Sequence, residues 1–115
     1  MNLEIFRKDD EYIDYYINDH KTVGTLLTVE DKNCIFIRHI GIFDNFKRKG
    51  YAYNAVCCIL RKGKEVRLCI TSHSCSAALF WTEVFQRLKK EKFVISHIKG
   101  NTWSIKQNDK YKKED

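Results

Sequence analysis

Hydrophobic and polar positions divide the chain into a strand-rich first part and a mixed second part. Asn2–Phe6, Tyr12–Ile17 and Thr22–Val29 are short runs rich in β-branched and aromatic residues, with polar clusters between them that are typical of turns. A fourth run, Cys34–Phe43, follows the polar segment Glu30–Asn33. Strands joined by such short turns predict an antiparallel meander.

The spacing of apolar residues becomes helical in the second half. Within Tyr51–Lys62 they recur at every third or fourth position, and Gly63 is a typical C-terminal stop. A second helix is predicted to begin at Ser74 or Ser76 and to end at about Lys90, because an apolar stripe runs through this segment.

The remaining apolar runs are short. Val66–Ile70 is predicted to be a strand between the helices, and Phe93–Ile98 with Thr102–Ile105 a closing hairpin. The predicted order is β-β-β-β-α-β-α-β-β, which indicates an α+β fold. We expect a single domain over residues 1–115, with residues 106–115 as a frayed polar tail.

Composition and charge limit the classes of partner. The 115 residues are 43% hydrophobic and 13% aromatic, enough for one continuous core. Lysine and arginine total 21 against 15 acidic residues, so the formal net charge is +6. This excess favours anionic partners, namely nucleic acid, phosphorylated cofactors or acidic proteins, without choosing among them.

Several other classes are disfavoured. No apolar run reaches the roughly 18 residues of a membrane-spanning helix, and Met1–Asp10 lacks the apolar core of a signal peptide. The five cysteines form no CxxC pair and, with the four histidines, no zinc-ligand pattern. We therefore expect no metal, reduced thiols and a cytoplasmic location.

Candidate chemistry concentrates where the fourth strand leads into the first helix. A basic turn, Lys47–Lys49, stands directly before Gly50 and the predicted helix start. Backbone N–H groups in the first turn of a helix have no intrahelical acceptors, and the positive end of the helix dipole lies there. Gly50 would let a phosphate approach the backbone closely, so the segment is typical of a pyrophosphate-binding turn.

The same residues resemble the acetyl-CoA-binding motif of the GCN5-related N-acetyltransferase (GNAT) superfamily. That motif has a hydrophobic-x-hydrophobic pair, an aromatic residue and then Arg/Gln-x-x-Gly-x-Gly/Ala. Here Lys47 replaces the first Arg or Gln, and Asp44 stands where many members have proline. The other matching positions are Ile40, Ile42, Phe46, Gly50 and Ala52.

A second, weaker match follows in the order that the family shows. Many members open the next helix with Asn-x-x-Ala-x-x-x-Tyr, and this chain has Ser74, Ala77 and Trp81 at those positions. The resemblance covers approximately Thr22–Ile105. It implies a mostly antiparallel central sheet flanked by two helices.

The resemblance also implies a reaction and a cofactor site. Members transfer an acetyl group from acetyl-CoA to an amine, with no metal, and the pantetheine arm runs where the strand Cys34–Phe43 splays from the strand Val66–Ile70. Backbone groups near the end of the first of these strands would hold the thioester. The implied cofactor-binding residues are Ile40, Ile42, Phe43, Lys47, Arg48, Lys49, Gly50, Tyr51, Ala52 and Ser74.

The attacking amine must lose a proton, so a general base is expected near the splay. His39 lies on the fourth strand and His73 follows the next one, and either could serve. Strand alternation places His39 opposite Ile40 and Ile42 unless a bulge intervenes. In many members a tyrosine protonates the CoA thiolate, and Trp81 at that position cannot do so. Cys75 or water could take this role instead. Trp81 is expected to be a core residue or to line the site.

The segment that walls the acceptor site in family members is short in this chain. Family members carry one or two helices between the first two strands, whereas only five residues separate Phe6 from Tyr12 here. We therefore expect the acceptor wall to be missing, which suits a bulky acceptor such as a protein lysine. A homodimer would equally complete the wall.

A different class of function also fits the charge, namely a non-catalytic basic module that binds nucleic acid or protein. Lys49–Tyr53 resembles the start of the RNP1 strand of RNA-recognition motifs, and Ile35–Ile40 resembles RNP2. That fold needs a helix and a strand between the two motifs, and the intervening segment is too short for both. Nucleic acid is therefore disfavoured as a partner.

Overall fold

A computed structural model, which describes residues 1–70 and 75–107, contains one seven-stranded sheet and two α-helices. The predicted element order is confirmed, with one added 3₁₀ turn, Asp44–Phe46, before the first helix. The strands are β1 (Asn2–Lys8), β2 (Tyr12–Asn18), β3 (Thr22–Glu30), β4 (Cys34–Ile42), β5 (Glu65–Cys69), β6 (Phe93–Lys99) and β7 (Thr102–Gln107), and the helices are α1 (Tyr51–Leu60) and α2 (Cys75–Lys90).

The sheet order is β1-β2-β3-β4-β5-β7-β6. The first four strands form the predicted antiparallel meander, and only the β4–β5 pair is parallel. β7 extends past the predicted end at Ile105, because Lys106 and Gln107 pair with Val94 and Phe93 of β6. These two residues therefore belong to the sheet and not to the tail.

Both helices lie on one face of the sheet. On α1 the buried side chains recur at helical spacing, and the helix ends near Gly63, whose φ of 83° is favourable only for glycine. On α2, Trp81, Val84 and Leu88 are buried in the same cluster. The sheet supplies the rest of this core through Ile13, Tyr15, Ile17, Val23, Leu26, Ile35, Ile37, Val66, Leu68 and Ile105.

The opposite face, which we call the open face, carries no helix of the described residues. A short turn joins β1 to β2, and the Asp9 carboxylate accepts hydrogen bonds there from the N–H groups of Glu11 (2.9 Å) and Tyr12 (2.7 Å). The expected absence of helices between the first two strands is thus seen directly. In the described parts of the chain, neither helix is long and apolar enough to cross a membrane.

Candidate active site

β4 and β5 are paired over only part of their length. The parallel pairing runs from Cys34 with Glu65 to Ile37 with Leu68. β4 then continues to Ile42 beside β3, and no further pairing with β5 occurs within the described residues. Among the described residues, β4 therefore has no β5 partner beside its second half, and we call this open side of β4 the gap; it lies where the resemblance implies the splay.

A β-bulge at Arg38 marks the beginning of this gap. Leu27 pairs with His39 and Thr28 pairs with Ile37, so Arg38 has no partner on β3. The extra residue reverses the alternation of side chains, and both Ile37 and Ile40 consequently face the helices. Without the bulge, Ile40 would point to the open face.

Backbone groups of β4 point into the gap. The Phe43 N–H donates a hydrogen bond to the Val23 carbonyl oxygen at 2.8 Å, and bonded pairs alternate along an antiparallel ladder. The N–H and C=O groups of Ile40 and Ile42 therefore point away from β3. Phe43, by contrast, has its N–H occupied, and its carbonyl oxygen already accepts a hydrogen bond from the Phe46 N–H, while its ring is exposed.

Close approach of β3 and β4 in this region depends on a glycine that the sequence did not single out. A Cβ on Gly24 would lie 2.3 Å from the Gly41 carbonyl oxygen, well inside van der Waals contact. Only glycine therefore allows the upper part of β4 to lie this close to β3. The role of this glycine depends on a contact between two strands. No local pattern in the sequence indicates such a contact.

The turn before α1 has an unusual backbone. Arg48 has a φ of 65° and Gly50 a φ of 82°, both in the left-handed region. Gly50 has no side chain to cap the helix, and its carbonyl accepts the first helical bond, from the Asn54 N–H at 3.0 Å. The preceding N–H groups in the first turn thus lack intrahelical acceptors and can bind an anion.

The three basic side chains of this turn are exposed but not equivalent. Lys47 lies 3.1 Å from the Asp44 carboxylate, which offsets part of its charge. Arg48 and Lys49 make no ion pair among the described residues. The positive charge available to a ligand therefore comes mainly from these two.

Tyr51 and Ala52 stand in the first turn of α1, where the resemblance implies that backbone amides hold the diphosphate. The Tyr51 hydroxyl donates a 2.7 Å hydrogen bond to Asp19, which fixes the start of α1 to the β2–β3 turn. This bond lowers the pKa of the Asp19 carboxyl and raises the pKa of the Tyr51 phenol. Ala52 is buried, so both residues can offer only backbone N–H groups to a cofactor.

The candidate base His39 lies on the open face, opposite Ile40 and Ile42 as predicted, because the bulge precedes it. Its side chain is exposed, and its Nε2 lies 3.1 Å from the position that a Cβ on Gly41 would take. Glycine at 41 thus leaves room for the ring against the strand.

Other predicted residues fall outside this region or outside the described residues. His73 and Ser74 are not among the described residues, and neither is the side chain of Cys75. Trp81 is 8% exposed and contacts Phe80 and Phe85, with ring centroids 5.0 and 5.9 Å away. Trp81 is therefore a core residue.

The described residues also limit alternative sites. Nowhere in residues 1–70 and 75–107 do three histidine, cysteine or acidic side chains come together as a metal site. The RNP1 interpretation is wrong for this chain, because Tyr51 and Tyr53 lie in α1 and not in a strand.

A groove of about 300 Å³ lies on the open face, lined in part by Tyr12, Phe36, Arg38 and Arg67.

Solved structures with the same arrangement are known. A Bacteroides thetaiotaomicron protein assigned to the GNAT family superposes with a TM-score of 0.64 at 8% identity, over 88% of this chain and 64% of that one. The chain has the GNAT fold. The Thermoplasma acidophilum PaiA N-acetyltransferase, solved in complex with coenzyme A, gives 0.53 at 14% identity, over 85% and 62%. Tetrahymena GCN5 gives 0.52 at 12% identity, over 85% and 69%.

The similarity is one of structure. No protein-family model matches the sequence, and no curated protein matches it. The chain spans less than two thirds of the length of the Bacteroides and Thermoplasma proteins. On the side of the sheet where GNAT members carry helices between the first two strands, this chain has only the short β1–β2 turn.

Proposed function

We propose that the chain binds acetyl-CoA and transfers its acetyl group to an amine. The observation that carries this proposal is the gap beside Ile40 and Ile42, which leads to the uncapped, basic start of α1. A gap lined by backbone hydrogen-bonding groups suits an extended amide-containing arm, and the turn suits a diphosphate. The GNAT fold supports the same ligand.

Each part of the site has a distinct task. Acetyl-CoA would supply an acyl group that is already activated as a thioester. The first-turn N–H groups after Gly50, with Arg48 and Lys49, would hold the diphosphate, and the backbone of Ile40 and Ile42 would hold the arm. His39, on the open face beside the gap, would accept the proton that the attacking amine loses as the amide bond forms. The thioester C–S bond would break in the same reaction, and CoA would leave as a thiolate that takes a proton from water. Fixing both reactants at the gap supplies much of the rate.

The open face supports a protein lysine as the acceptor. No helix of the described residues covers it, so a large partner can approach His39 and the gap from that side. The groove near Arg38 and Phe36 adds contact area on the same face. An enclosed pocket for a small amine would need a wall, and the described residues supply none on this face.

The cofactor site is tested by calorimetric titration with acetyl-CoA of the wild type and of Gly50→Glu. The carboxylate should meet the incoming diphosphate and abolish binding. Gly63→Glu is the matched control, because Gly63 has the same backbone conformation (φ 83° against 82°) at the other end of α1, with open space around it. Equal affinity in the Gly50→Glu variant would contradict the placement of the diphosphate.

The reaction is tested by intact-mass measurement of lysine-containing proteins after incubation with the chain and acetyl-CoA. The expected result is a mass increase of one acetyl group on the protein. Small polyamines incubated in the same way should gain no acetyl group. Salt-dependent binding of RNA or DNA that acetyl-CoA does not compete away would instead favour a non-catalytic basic module.

A further inference from the structure

One cation outside the GNAT motif lies at the start of α1. Arg87 belongs to α2, yet its guanidinium carbon lies 3.7 Å from the centre of the Tyr53 ring in the first turn of α1. One of its terminal nitrogens lies 3.7 Å from the position that a Cβ on Gly50 would take. The two helices therefore bring a guanidinium group to the turn that we propose for the diphosphate.

Several cations stand at or near the start of α1. Arg87 makes no ion pair among the described residues, although Glu83 and Glu91 stand four positions before and after it in the chain, and it lies beside the start of α1, where the positive end of the helix dipole is found. Arg48 and Lys49 add two more unpaired cations to the same turn. Positive groups repel one another in this arrangement, and an anion bound among them would remove the repulsion.

Contact with Tyr53 restricts where the guanidinium can point. At 3.7 Å the ring covers part of one side of the guanidinium and attracts its charge, which restricts the positions that the group can take. A planar donor held in this way can offer two parallel N–H groups to a phosphate oxygen pair. Lysine could supply the charge at this position but not the planar donor.

We propose that Arg87 is a diphosphate-binding residue, which reaches from α2 to the anion held by the start of α1. This inference rests on the proposed function, and it assigns to α2 a part in cofactor binding that its amphipathic pattern does not reveal. Tyr53 acts as the positioning residue for the guanidinium.

The test is calorimetric titration of wild type, Arg87→Ala, Arg87→Lys and the control Lys89→Ala with acetyl-CoA, dephospho-CoA and inorganic pyrophosphate. Lys89 is an exposed cation on the same helix, and its replacement removes the same charge. Arg87→Ala should weaken acetyl-CoA binding about tenfold, as expected for loss of a charge-assisted bond. Arg87→Lys should recover part of the loss, and Lys89→Ala should bind within about twofold of wild type.

Dephospho-CoA identifies the phosphate. It lacks the 3′-phosphate but keeps the diphosphate, so the Arg87→Ala penalty should be the same with this ligand. A penalty that disappears with dephospho-CoA would move Arg87 to the 3′-phosphate and overturn the inference. Wild-type affinity in Arg87→Ala, or an equal loss in Lys89→Ala, would also overturn it.

Inorganic pyrophosphate separates this inference from the proposed function. If wild type binds acetyl-CoA and Arg87→Ala binds it equally well, only the role of Arg87 fails. If wild type binds pyrophosphate in an Arg87-dependent way but does not bind acetyl-CoA, the anion site stands and the acetyltransferase proposal fails. If wild type binds neither ligand, both fail. Matching denaturation midpoints of the ligand-free variants would exclude a merely structural effect of the substitution.

Discussion

The two halves of strand β4 differ in their backbone pairing and in their burial. In the first half, Cys34–Ile37, the backbone pairs with β3 on one side and with β5 on the other, and Ile35 is fully buried. In the second half, Arg38–Ile42, the bulged Arg38 has no partner on β3, His39–Ile42 pair among the described residues with β3 alone, and no side chain is fully buried. The bulge at Arg38 stands at the boundary.

This contrast separates stability from ligand binding along a single element. Buried backbone groups without partners are costly, so a strand in the middle of a sheet normally pairs on both sides. Among the described residues the second half of β4 departs from that rule, and its backbone groups on the β5 side are those that a ligand can use. The first half fixes the strand from which they project. The predictions below test this division, from the largest expected effect to the smallest.

The largest effect should come from the first half. Ile35→Ala removes a fully buried side chain and should lower the free energy of unfolding by about 2–5 kcal/mol, measured by chemical denaturation. Ile42→Ala, in the second half, removes a half-buried side chain and should cost clearly less. Equal losses in the two variants would contradict the division.

Catalysis should depend on the second half. His39→Ala should lower kcat about 100-fold, equivalent to about 2.7 kcal/mol, and should remove the acidic limb of the pH–rate profile. Its unfolding free energy should change little, since His39 is exposed. His97→Ala is the control, because that ring lies against Trp103, 4.8 Å between centroids, on β6. An unchanged profile in His39→Ala would exclude His39 and make His73→Ala the variant to measure.

A pair of glycines tests the geometry of the second half. Gly24→Ala places a Cβ against the backbone oxygen of Gly41, which cannot move without shifting β4, and should cost about 1–3 kcal/mol and weaken acetyl-CoA binding. Gly41→Ala meets only the movable end of His39 and should cost about 0.5 kcal/mol or less. If both variants were equally stable, the close approach of β3 and β4 would not be what restricts position 24 to glycine.

Much of the fold could be predicted because its signals are local. Alternation and turn residues placed the strands to within about two residues, and helical spacing placed the start of α1 at Tyr51. The GNAT-like order of strand, basic turn and helix is also contained within Ile40–Ala52. Such features need only neighbouring residues to specify them.

Long-range features of the site could not be predicted in the same way. The bulge at Arg38 arises because β3 and β4 pair on both sides of it, with one more residue on β4 than on β3. The sequence of β4 alone predicts an unbroken strand. The guanidinium of Arg87 reaches Gly50 only because α1 and α2 lie on the same face of the sheet. Tyr51 carries its hydroxyl to Asp19, a residue 32 positions away. In each case the deciding contact joins segments that are distant in sequence.

The smallest predicted effect concerns this last contact. Tyr51→Phe keeps the edge contact with Phe46 (6.4 Å between ring centroids) but removes the hydrogen bond that holds Asp19 below its ordinary pKa of 3.8. The pKa of Asp19, measured by carboxyl NMR titration, should therefore rise in this variant, whereas Tyr16→Phe should leave it unchanged.

The sign of the pH dependence follows from the direction of this shift. Because the folded-state pKa of Asp19 is lowered, its contribution to stability is fully present above the unfolded-state pKa and is lost as pH falls through the folded-state value. The small stability difference between wild type and Tyr51→Phe should thus exist at neutral pH and disappear in acid. A difference that persists in acid would mean that the phenol stabilises the start of α1 by another contact. The start of α1 would then be anchored by more than this one hydrogen bond, whereas the first half of β4 is held by burial and by strand pairing on both sides.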